Sequence, residues 1–342
     1  MRKLVNELIS GKISRRGFLA GMAAASFGPS AAKSALAAVE PLVPGSPLPE
    51  GFARSVTGTG ADLMLSQMIE TGAEYLFVSN GSGVGPICDA LVDNPGLQLI
   101  QATQEGQVVS IADGYAKASG KTGYGMFSRV GLPHSSSNMY NSMKDRTPLV
   151  MFSDHADTDR EGTDSHEDVD DWINAVAPYT KWRWTARQPE RLAEWVRKAY
   201  KISGVLPGGP THVRIPRDLL YQGGLTADIY SGQALHISME LQPDPREVER
   251  AAKYMLEAKS PLLYVGPEVG QMNARTALVE LAELLAIPVT QHRSFYADFP
   301  NMHPLYLGEL PAVRSYLNLY PNPIDCFINF GARFPVRRES FV

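Results

Sequence analysis

Short apolar runs alternate with segments of helical periodicity along residues 57–221. The apolar runs have the length of buried strands and lie at residues 75–79, 97–102, 123–128, 149–153 and 212–215. Helical periodicity predicts helices at residues 62–71, 87–93, 105–118, 136–143 and 189–203. In residues 105–118, for example, Val108, Ala112 and Tyr115 fall on one face. Such alternation is typical of an α/β fold, in which a parallel sheet is covered by helices on both faces.

A second alternation begins after a polar segment at residues 222–243. It predicts helices at residues 246–257, 274–285 and 313–319 and strands at residues 262–265, 288–290 and 326–329. Residues 244–342 therefore indicate a second doubly wound α/β domain. The predicted architecture is two doubly wound parallel-sheet domains joined by a linker at residues 222–243.

The first 37 residues have the layout of an export signal. Residues 14–19 read Ser-Arg-Arg-Gly-Phe-Leu and resemble the twin-arginine signal, and the apolar stretch at residues 17–27 is too short to span a bilayer. The small-residue triplet at residues 35–37 predicts cleavage after Ala37 and a periplasmic mature protein. The alternative is an amphipathic helix of the folded domain, which Gly17 and Gly21 would weaken. A proline-rich, extended leader is predicted at residues 38–56.

Composition excludes some classes of function. The formal net charge is -4 and the sequence pI is near 6.0, which argues against nucleic acid as a partner because phosphate binding needs a basic surface. Cys88 and Cys326 both lie in apolar surroundings and are predicted to be buried free thiols. The spacing of Cys and His residues suggests no metal site.

Polar and glycine-rich segments follow three of the predicted strands. They are residues 80–81, residues 104–105 and residues 128–133. Ligands in parallel sheets bind beyond the carboxyl ends of the strands. We therefore expect these segments to line one edge of the first sheet.

The segment at the start of the helix 105–118 carries the most specific motif. Gln104-Glu105-Gly106 is followed by Ala112-Asp113-Gly114-Tyr115-Ala116. This pattern resembles the signature of the pyrimidine-binding domain in the thiamine-diphosphate-dependent superfamily of acetolactate synthase, pyruvate oxidase and benzoylformate decarboxylase. Further stretches resemble the family in the same order, namely residues 79–82, 131–133, 147–150, 213–218, 286–289, 303–308 and 329–334. The resemblance covers nearly all of the chain after the predicted signal.

The resemblance implies a cofactor and a catalytic carboxyl group. In the family, a glutamate hydrogen-bonds the aminopyrimidine ring of thiamine diphosphate, and the activated cofactor attacks a 2-keto acid, which then loses carbon dioxide. Glu105 stands at the matching position and is the candidate catalytic residue. By itself, Glu105 could equally be a helix N-terminal glutamate that favours the helix dipole. The implied contacts to the cofactor are made by Ser79, Asn80, Gly81 and Gly131 together with Glu105.

The resemblance also implies substrate contacts. Ser82 matches a substrate-facing serine of the decarboxylase branch, although it could be a simple turn serine. A catalytic histidine of that branch would fall near Phe127 or Ser128, where this sequence has none. His134 lies a few residues further on and could replace it, or could be a surface histidine. The candidate substrate contacts are therefore Ser82, Phe127, Ser128 and His134.

An acidic segment with two histidines offers a weaker possibility. His155 and His166 lie among several aspartates and glutamates between residues 154 and 168. A metal site is conceivable there, but no tight ligand spacing recurs, and a solvated loop is the favoured interpretation.

The family binds Mg²⁺ and the cofactor's diphosphate with a third domain that bears a Gly-Asp-Gly motif. This sequence contains no Gly-Asp-Gly. The resemblance thus implies that the chain holds only the pyrimidine side of the cofactor and that its second domain lacks its last elements. It also implies that the protein forms a homo-oligomer or pairs with a partner chain that supplies the diphosphate-binding domain. Some relatives hold FAD in the second domain, but Gly266 and Gly270 form no G-x-G-x-x-G fingerprint. The function is therefore either a decarboxylase or carboligase acting on a 2-keto acid, or a non-catalytic partner or truncated remnant.

Overall fold

A computed structural model describes residues 2–39, 52–163, 171–235, 243–291, 296–309 and 323–333. The helices are α1 (Arg2–Ile9), α2 (Arg15–Ala24), α3 (Pro29–Val39), α4 (Gly60–Glu70), α5 (Val84–Asp93), α6 (Glu105–Ser119), α7 (Gly131–Asp145), α8 (Trp172–Ala175), α9 (Leu192–Gly204), α10 (Arg217–Tyr221), α11 (Gly232–Leu235), α12 (Pro245–Glu257), α13 (Pro267–Gln271) and α14 (Arg275–Leu285). The strands are β1 (Ala53–Gly58), β2 (Tyr75–Val78), β3 (Gln98–Gln101), β4 (Gly123–Phe127), β5 (Leu149–His155), β6 (Trp182–Thr185), β7 (Thr211–Pro216), β8 (Leu225–Tyr230), β9 (Pro261–Val265), β10 (Val289–Gln291), β11 (Tyr306–Glu309) and β12 (Cys326–Phe330). The predicted α/β class is confirmed.

The first domain is built on a six-stranded sheet in the order β3-β2-β4-β5-β7-β6. All of its strand pairs are parallel. The central strands β4, β5 and β7 are buried along their whole length. Separate apolar clusters cover the two faces, one centred on α4, α5 and α9 and the other on α6 and α7. Burial on both faces explains why these strands are continuous apolar runs in the sequence.

The two ends of the first domain pair with each other. β1 and β8 form an antiparallel ladder in which Ala53 lies opposite Tyr230 and Gly58 opposite Leu225. Their inward side chains pack on buried Leu63 of α4. Strand β8 falls inside the segment predicted as a linker, and β1 begins inside the predicted leader. The difference arises because Thr226 and Asp228 interrupt the apolar residues of β8, and glycine and polar residues flank this short strand, so the sequence shows no continuous apolar run.

The second domain contains a four-stranded parallel sheet in the order β11-β10-β9-β12. Its core is formed by β9, β10 and α14 and includes buried Leu263, Val265, Leu278 and Val289. The helix predicted at residues 313–319 lies outside the described residues. The observed order agrees with the predicted doubly wound domain, as far as the structure describes it.

The two domains meet at the amino-end edge of the first sheet. Arg146, which directly precedes β5, forms an ion pair with Glu268 of α13. The backbone carbonyl of Arg146 accepts a hydrogen bond from Gln271 Nε2 at 3.3 Å. Arg333 Nη2 donates to the carbonyl of Lys144 at 2.5 Å. These contacts lie at the opposite edge of the sheet from the segments that follow β2 and β4.

The N-terminal residues form three short helices with a small core of their own, made of Leu8, Phe18, Met22 and Ala32. The expectation that glycines oppose a helix here is wrong, because Gly17 and Gly21 lie within α2. A Cβ on Gly21 would come within 2.5 Å of a methyl group of Leu4, so this glycine permits close packing of α1 on α2. The export signal and its cleavage after Ala37 remain predictions. Across the described ranges, no helix is long and apolar enough to cross a bilayer.

Both cysteines are free, but they are not buried as predicted. Cys88 is exposed and Cys326 is half-buried. Cys88 lies on α5, whose buried face consists of Pro86, Ile87 and Ala90. The helical period therefore turns Cys88 towards solvent although its sequence neighbours are apolar.

Candidate active site at the carboxyl edge of the first sheet

The parallel arrangement brings the predicted segments to one edge of the sheet. β2 lies between β3 and β4, so the loops that follow these strands are neighbours. α6 begins directly after β3, and α7 begins directly after the loop that follows β4. The candidate residues on the two loops and the two helix N-termini therefore face a common region, as the sequence predicted.

Glu105 is the first residue of α6. Gln104 precedes it as the N-cap, and its side-chain oxygen accepts a hydrogen bond from the backbone N–H of Gln107 at 3.3 Å. The Glu105 side chain is 16% exposed. It lies directly against Gly131, where a Cβ would come within 2.0 Å of Glu105 Cγ. Gly131 is thus required by the close approach of the Glu105 side chain.

His134 lies beside the candidate catalytic carboxyl group. Its Nδ1 is 3.1 Å from Glu105 Oε2, and its side chain is 62% exposed. His134 lies in the first turn of α7, the helix that begins at Gly131. The structure therefore brings together His134, Gly131 and Glu105, three residues that the sequence singled out separately.

The loop after β2 contributes the next group of candidates. Ser79 donates its backbone N–H to the carbonyl of Met126 at 3.1 Å, which ties this loop to the end of β4. Among the described residues, the buried Ser79 Oγ has no hydrogen-bond partner. Asn80 is exposed, and its side-chain oxygen accepts a hydrogen bond from Gln101 Nε2 at 3.2 Å. Gly81 packs so closely that a Cβ there would lie 3.1 Å from the backbone nitrogen of Ser128.

Two candidate substrate residues are less accessible than predicted. Phe127 is fully buried in the cluster under α6 and α7, so its side chain is part of the core and the predicted substrate contact is wrong for it. The reason is that β4 is covered on both faces up to its last residue. Ser128 is 8% exposed, and its carbonyl accepts the backbone N–H of Gly131 at 2.9 Å. Ser82, by contrast, is exposed at the edge.

Asp154 is a site residue that the sequence reasoning did not identify as such. It lies near the end of β5 and is 2% exposed. Its Oδ2 accepts hydrogen bonds from Gly83 N at 2.8 Å and from Ser82 Oγ at 3.2 Å, and its Oδ1 accepts one from Arg129 N at 2.9 Å. The available signal was its position directly after the apolar run at residues 149–153, where a carboxylate lies at the carboxyl edge of a buried strand.

A buried histidine, His212, lies on β7, the strand next to the one that carries Asp154. Ser153 Oγ and His212 Nε2 are 2.9 Å apart between β5 and β7. Burial, and secondarily the nearby charge of Arg214, lowers the pKa of His212 to about 3. His212 is therefore uncharged at physiological pH and belongs to the core rather than to the candidate site.

The acidic segment after β5 is only partly described, and His166 lies outside the described residues. His155 is 1% exposed, and its Nε2 is 3.8 Å from Glu161, which also accepts a hydrogen bond from Arg214 at 2.7 Å. Asp157 pairs with Arg217 at 2.5 Å. Within the part of the chain that the structure describes, no cluster of three or more His, Cys, Asp or Glu side chains could hold a metal ion. Asp157 and Glu161 are instead paired with arginines.

A second concave region lies where the two domains meet. This cavity has a volume of about 910 Å³. Its lining includes the basic residues Lys117, Lys121, Arg146, Lys201 and Arg275. The Lys117 ammonium is held between two carboxylates, Asp113 at 2.6 Å and Asp145 at 2.7 Å.

The glycines that suggested a nucleotide in the second domain serve chain packing. A Cβ on Gly266 would lie 2.3 Å from Ala332 Cα, and one on Gly270 would lie 2.9 Å from Asp298 Oδ1. Close approach of the chain to itself therefore accounts for both glycines. FAD binding remains a prediction.

Two family descriptions match the chain. Residues 58–175 match "Thiamine pyrophosphate enzyme, N-terminal TPP binding domain", and residues 248–340 match "Thiamine pyrophosphate enzyme, central domain". The first range contains every candidate site residue, from Ser79 to His134, and also Asp154. The second range contains α13, α14 and the sheet of the second domain.

Curated and solved relatives agree with these matches. The mitochondrial acetolactate synthase catalytic subunit of Aspergillus candidus is 27% identical over 305 residues, which cover 84% of this chain and 44% of that protein. The acetolactate synthase of Mycobacterium bovis is 30% identical over 284 residues, which cover 82% of this chain and 45% of that protein. A solved thiamine diphosphate-dependent 4-hydroxybenzoylformate decarboxylase from Rhodococcus jostii RHA1 shares the fold, with a TM-score of 0.68, 23% identity and coverage of 82% of this chain and 53% of that one.

The chain spans about half the length of the curated relatives that it matches. The matched half includes the sheet edge that carries Glu105, Gly131 and His134. The protein therefore has the N-terminal and central domains of the thiamine pyrophosphate enzymes and is a homologue of the acetolactate synthases.

Proposed function

We propose that this chain provides the pyrimidine-binding side of a thiamine-diphosphate-dependent decarboxylase or carboligase that acts on a 2-keto acid. The observation that carries the proposal is the Glu105 carboxyl group, packed on Gly131 and 3.1 Å from His134 at the carboxyl edge of the first sheet. This arrangement lies within the residues that match the N-terminal TPP binding domain.

The residues at this edge suit the pyrimidine ring of the cofactor. Glu105 supplies a carboxyl group that is mostly shielded from water, and Gly131 leaves the adjacent surface free of a side chain. Ser79 Oγ is buried and lacks a partner among the described residues, so it is an unsatisfied polar group beneath the loop that follows β2. When bound, thiamine diphosphate supplies an electron sink for cleavage of the bond between a keto carbon and its carboxylate. The role proposed for Glu105 is to hold a proton at Oε and share it with the pyrimidine.

His134 and Ser82 are the proposed contacts to the 2-keto acid. Both are exposed at the same edge, whereas Glu105 is largely covered. The imidazole of His134 contacts Glu105 Oε2 and can donate or accept a proton there. The Ser82 hydroxyl donates to Asp154 Oδ2 at 3.2 Å in the structure, and it would have to rotate away from this carboxylate to donate to an oxygen of the 2-keto acid.

The diphosphate and Mg²⁺ are proposed to be bound by a domain outside the residues that match the relatives. The proposal rests on the coverage of about half of each relative. Residues 14–19 and 35–37 support the further proposal that the protein is exported to the periplasm by the twin-arginine route.

The test is Glu105→Gln in the purified protein together with any chain that co-purifies with it. Thiamine diphosphate binding is followed by tryptophan fluorescence, and carbon dioxide release is measured for a series of aliphatic and aromatic 2-keto acids. Loss of proton sharing should lower turnover by about 10²- to 10⁴-fold. The matched control is Glu283→Gln, which breaks another histidine–glutamate pair, 3.2 Å from His303, in the second domain.

The outcomes separate the proposal from its alternative. Unchanged turnover in Glu105→Gln contradicts the proposed role of the carboxyl group. If the wild-type assembly binds thiamine diphosphate but releases no carbon dioxide from any 2-keto acid, the chain is a non-catalytic partner. Equal losses in Glu105→Gln and Glu283→Gln would point to a general effect on folding.

A further inference from the structure

We propose that Asp154 is a positioning residue that holds the two loops of the candidate active site in a fixed relation to each other. One carboxyl oxygen binds the loop after β2 through Gly83 N and Ser82 Oγ, and the other binds the loop after β4 through Arg129 N. The inference rests on the proposed function, because it assigns a role to these loops in binding the cofactor and the substrate.

The carboxyl group is enclosed by the loops that it binds. Asp154 is 2% exposed, and a Cβ on Gly83 would lie 2.6 Å from Asp154 Cβ. A Cβ on Gly81 would lie 3.2 Å from Asp154 Oδ2. Because the side chain is almost fully covered, Asp154 acts through the groups that it holds.

The enclosed carboxyl group also lies beside the starts of two helices. The N-cap residues of α5 and α7 are Gly83 and Val130, and neither makes a side-chain capping bond. Asp154 accepts the N–H of Gly83 itself and that of Arg129, the residue before Val130. A carboxylate near a helix N-terminus is favoured by the helix dipole. A single side chain on β5 therefore binds the backbone at the start of one helix and just before the start of the other.

The link from Asp154 to Glu105 runs through the second loop. Arg129 is fixed by Asp154, and the loop then closes with the hydrogen bond from Gly131 N to Ser128 O at 2.9 Å. Gly131 in turn is the surface on which the Glu105 side chain packs. A shift of this loop would move the surface on which Glu105 packs and would change the distance between Glu105 and Ser82 on the other loop.

The test is Asp154→Asn. The asparagine side chain has one oxygen that can accept hydrogen bonds, so its NH₂ group would face the N–H of either Gly83 or Arg129, which is also a donor. We expect the amide protons of Gly83, Arg129 or both to exchange faster by NMR in the cofactor-free protein. In the assembled enzyme, KM for the 2-keto acid and Kd for thiamine diphosphate should rise by about 10- to 100-fold, the usual consequence of losing hydrogen bonds to a charged group.

The matched control is Asp325→Asn in the second domain. Asp325 also bridges backbone donors, accepting from Lys259 N at 2.8 Å and Ser260 N at 2.9 Å, but it is far from the site in the fold. A purely structural carboxyl group would lower Tm in both variants and leave KM and Kd unchanged. If Asp154→Asn does not fold, Gly83→Ala gives the second test, because its Cβ would displace the carboxyl group without removing it.

The results keep the two proposals apart. If Glu105→Gln is inactive while Asp154→Asn and Gly83→Ala keep normal KM and Kd, the positioning role is wrong and the proposed function stands. If Glu105→Gln is fully active while the amide protons of Gly83 and Arg129 lose protection in Asp154→Asn, the positioning of the loops stands and the proposed function is wrong.

Discussion

Replacing Gly131 with alanine tests the close packing of Glu105 directly. The new Cβ would lie 2.0 Å from Glu105 Cγ, 2.8 Å from its Cβ and 2.9 Å from its Cδ. Non-bonded carbon atoms in contact are about 3.5 Å or more apart, so the Glu105 side chain would have to move away by about 1.5 Å. A displacement of this size at a reacting group lowers turnover by about 100-fold. The stability cost should be about 1–3 kcal/mol, as for other overpacked sites.

The measurements are carbon dioxide release from the preferred 2-keto acid and urea unfolding of the same preparations. The matched control is Gly204→Ala at the end of α9, because a Cβ there has no atom within 4 Å. Gly204→Ala should keep full turnover and should not lower the free energy of unfolding. Normal turnover in Gly131→Ala would refute the argument that the position of Glu105 depends on this glycine.

The remaining predictions concern one buried acid and the exposed histidine. Burial raises the pKa of Asp298 to about 7, and the backbone N–H of Gly270 partly offsets this increase. Between about pH 4 and about pH 7 the folded protein therefore keeps a proton on Asp298. The unfolded chain releases that proton near the ordinary aspartate pKa of 3.8. The free energy of unfolding should therefore fall by up to about 4 kcal/mol as the pH rises from about 4 to about 7. Urea unfolding at a series of pH values should show a flatter dependence for Asp298→Asn over this range. An equally steep pH dependence in the variant would contradict the assignment of this effect to Asp298. His134→Gln should lower turnover by about 10-fold or more while thiamine diphosphate affinity stays within about 2-fold, and turnover equal to wild type would exclude the imidazole from proton transfer.

The elements of the first sheet could be predicted because its strands are buried on both faces. β4 and β5 are continuous apolar runs, and the polar residues that follow a parallel strand must reach the carboxyl edge. This rule predicted that Glu105, Gly131 and the loop after β2 would meet. It did not predict the 3.1 Å contact between Glu105 and His134, because the rotation of α7 about its axis depends on packing.

Other features depend on partners that are distant in the sequence. Strand β8 pairs with β1, which lies at the other end of the first domain in the sequence, so residues 222–243 were interpreted as a linker. Asp154 was interpreted as part of an acidic segment. Its hydrogen-bond donors, Gly83 and Arg129, come from two other loops, and the sequence does not show that these loops lie beside it. Phe127 was assigned to the substrate by its place in a motif, although the sheet buries it. Position in a motif indicates the element, but packing decides which side chains are accessible.

The ladder between β1 and β8 has a mechanical consequence. The residue where the chain enters the first domain, Ala53, lies opposite the residue where it leaves, Tyr230. Tension applied to the N-terminal helices and to the second domain would therefore load the ladder at one end and peel it apart pair by pair, which requires far less force than shearing all pairs at once. Along the backbone, force would reach the six-stranded sheet and its candidate active site only after the last pair, Gly58 with Leu225, had opened. The contacts of Arg146 with Glu268 and Gln271 would also be loaded when the second domain is pulled. The ladder and these contacts would thus yield before the sheet.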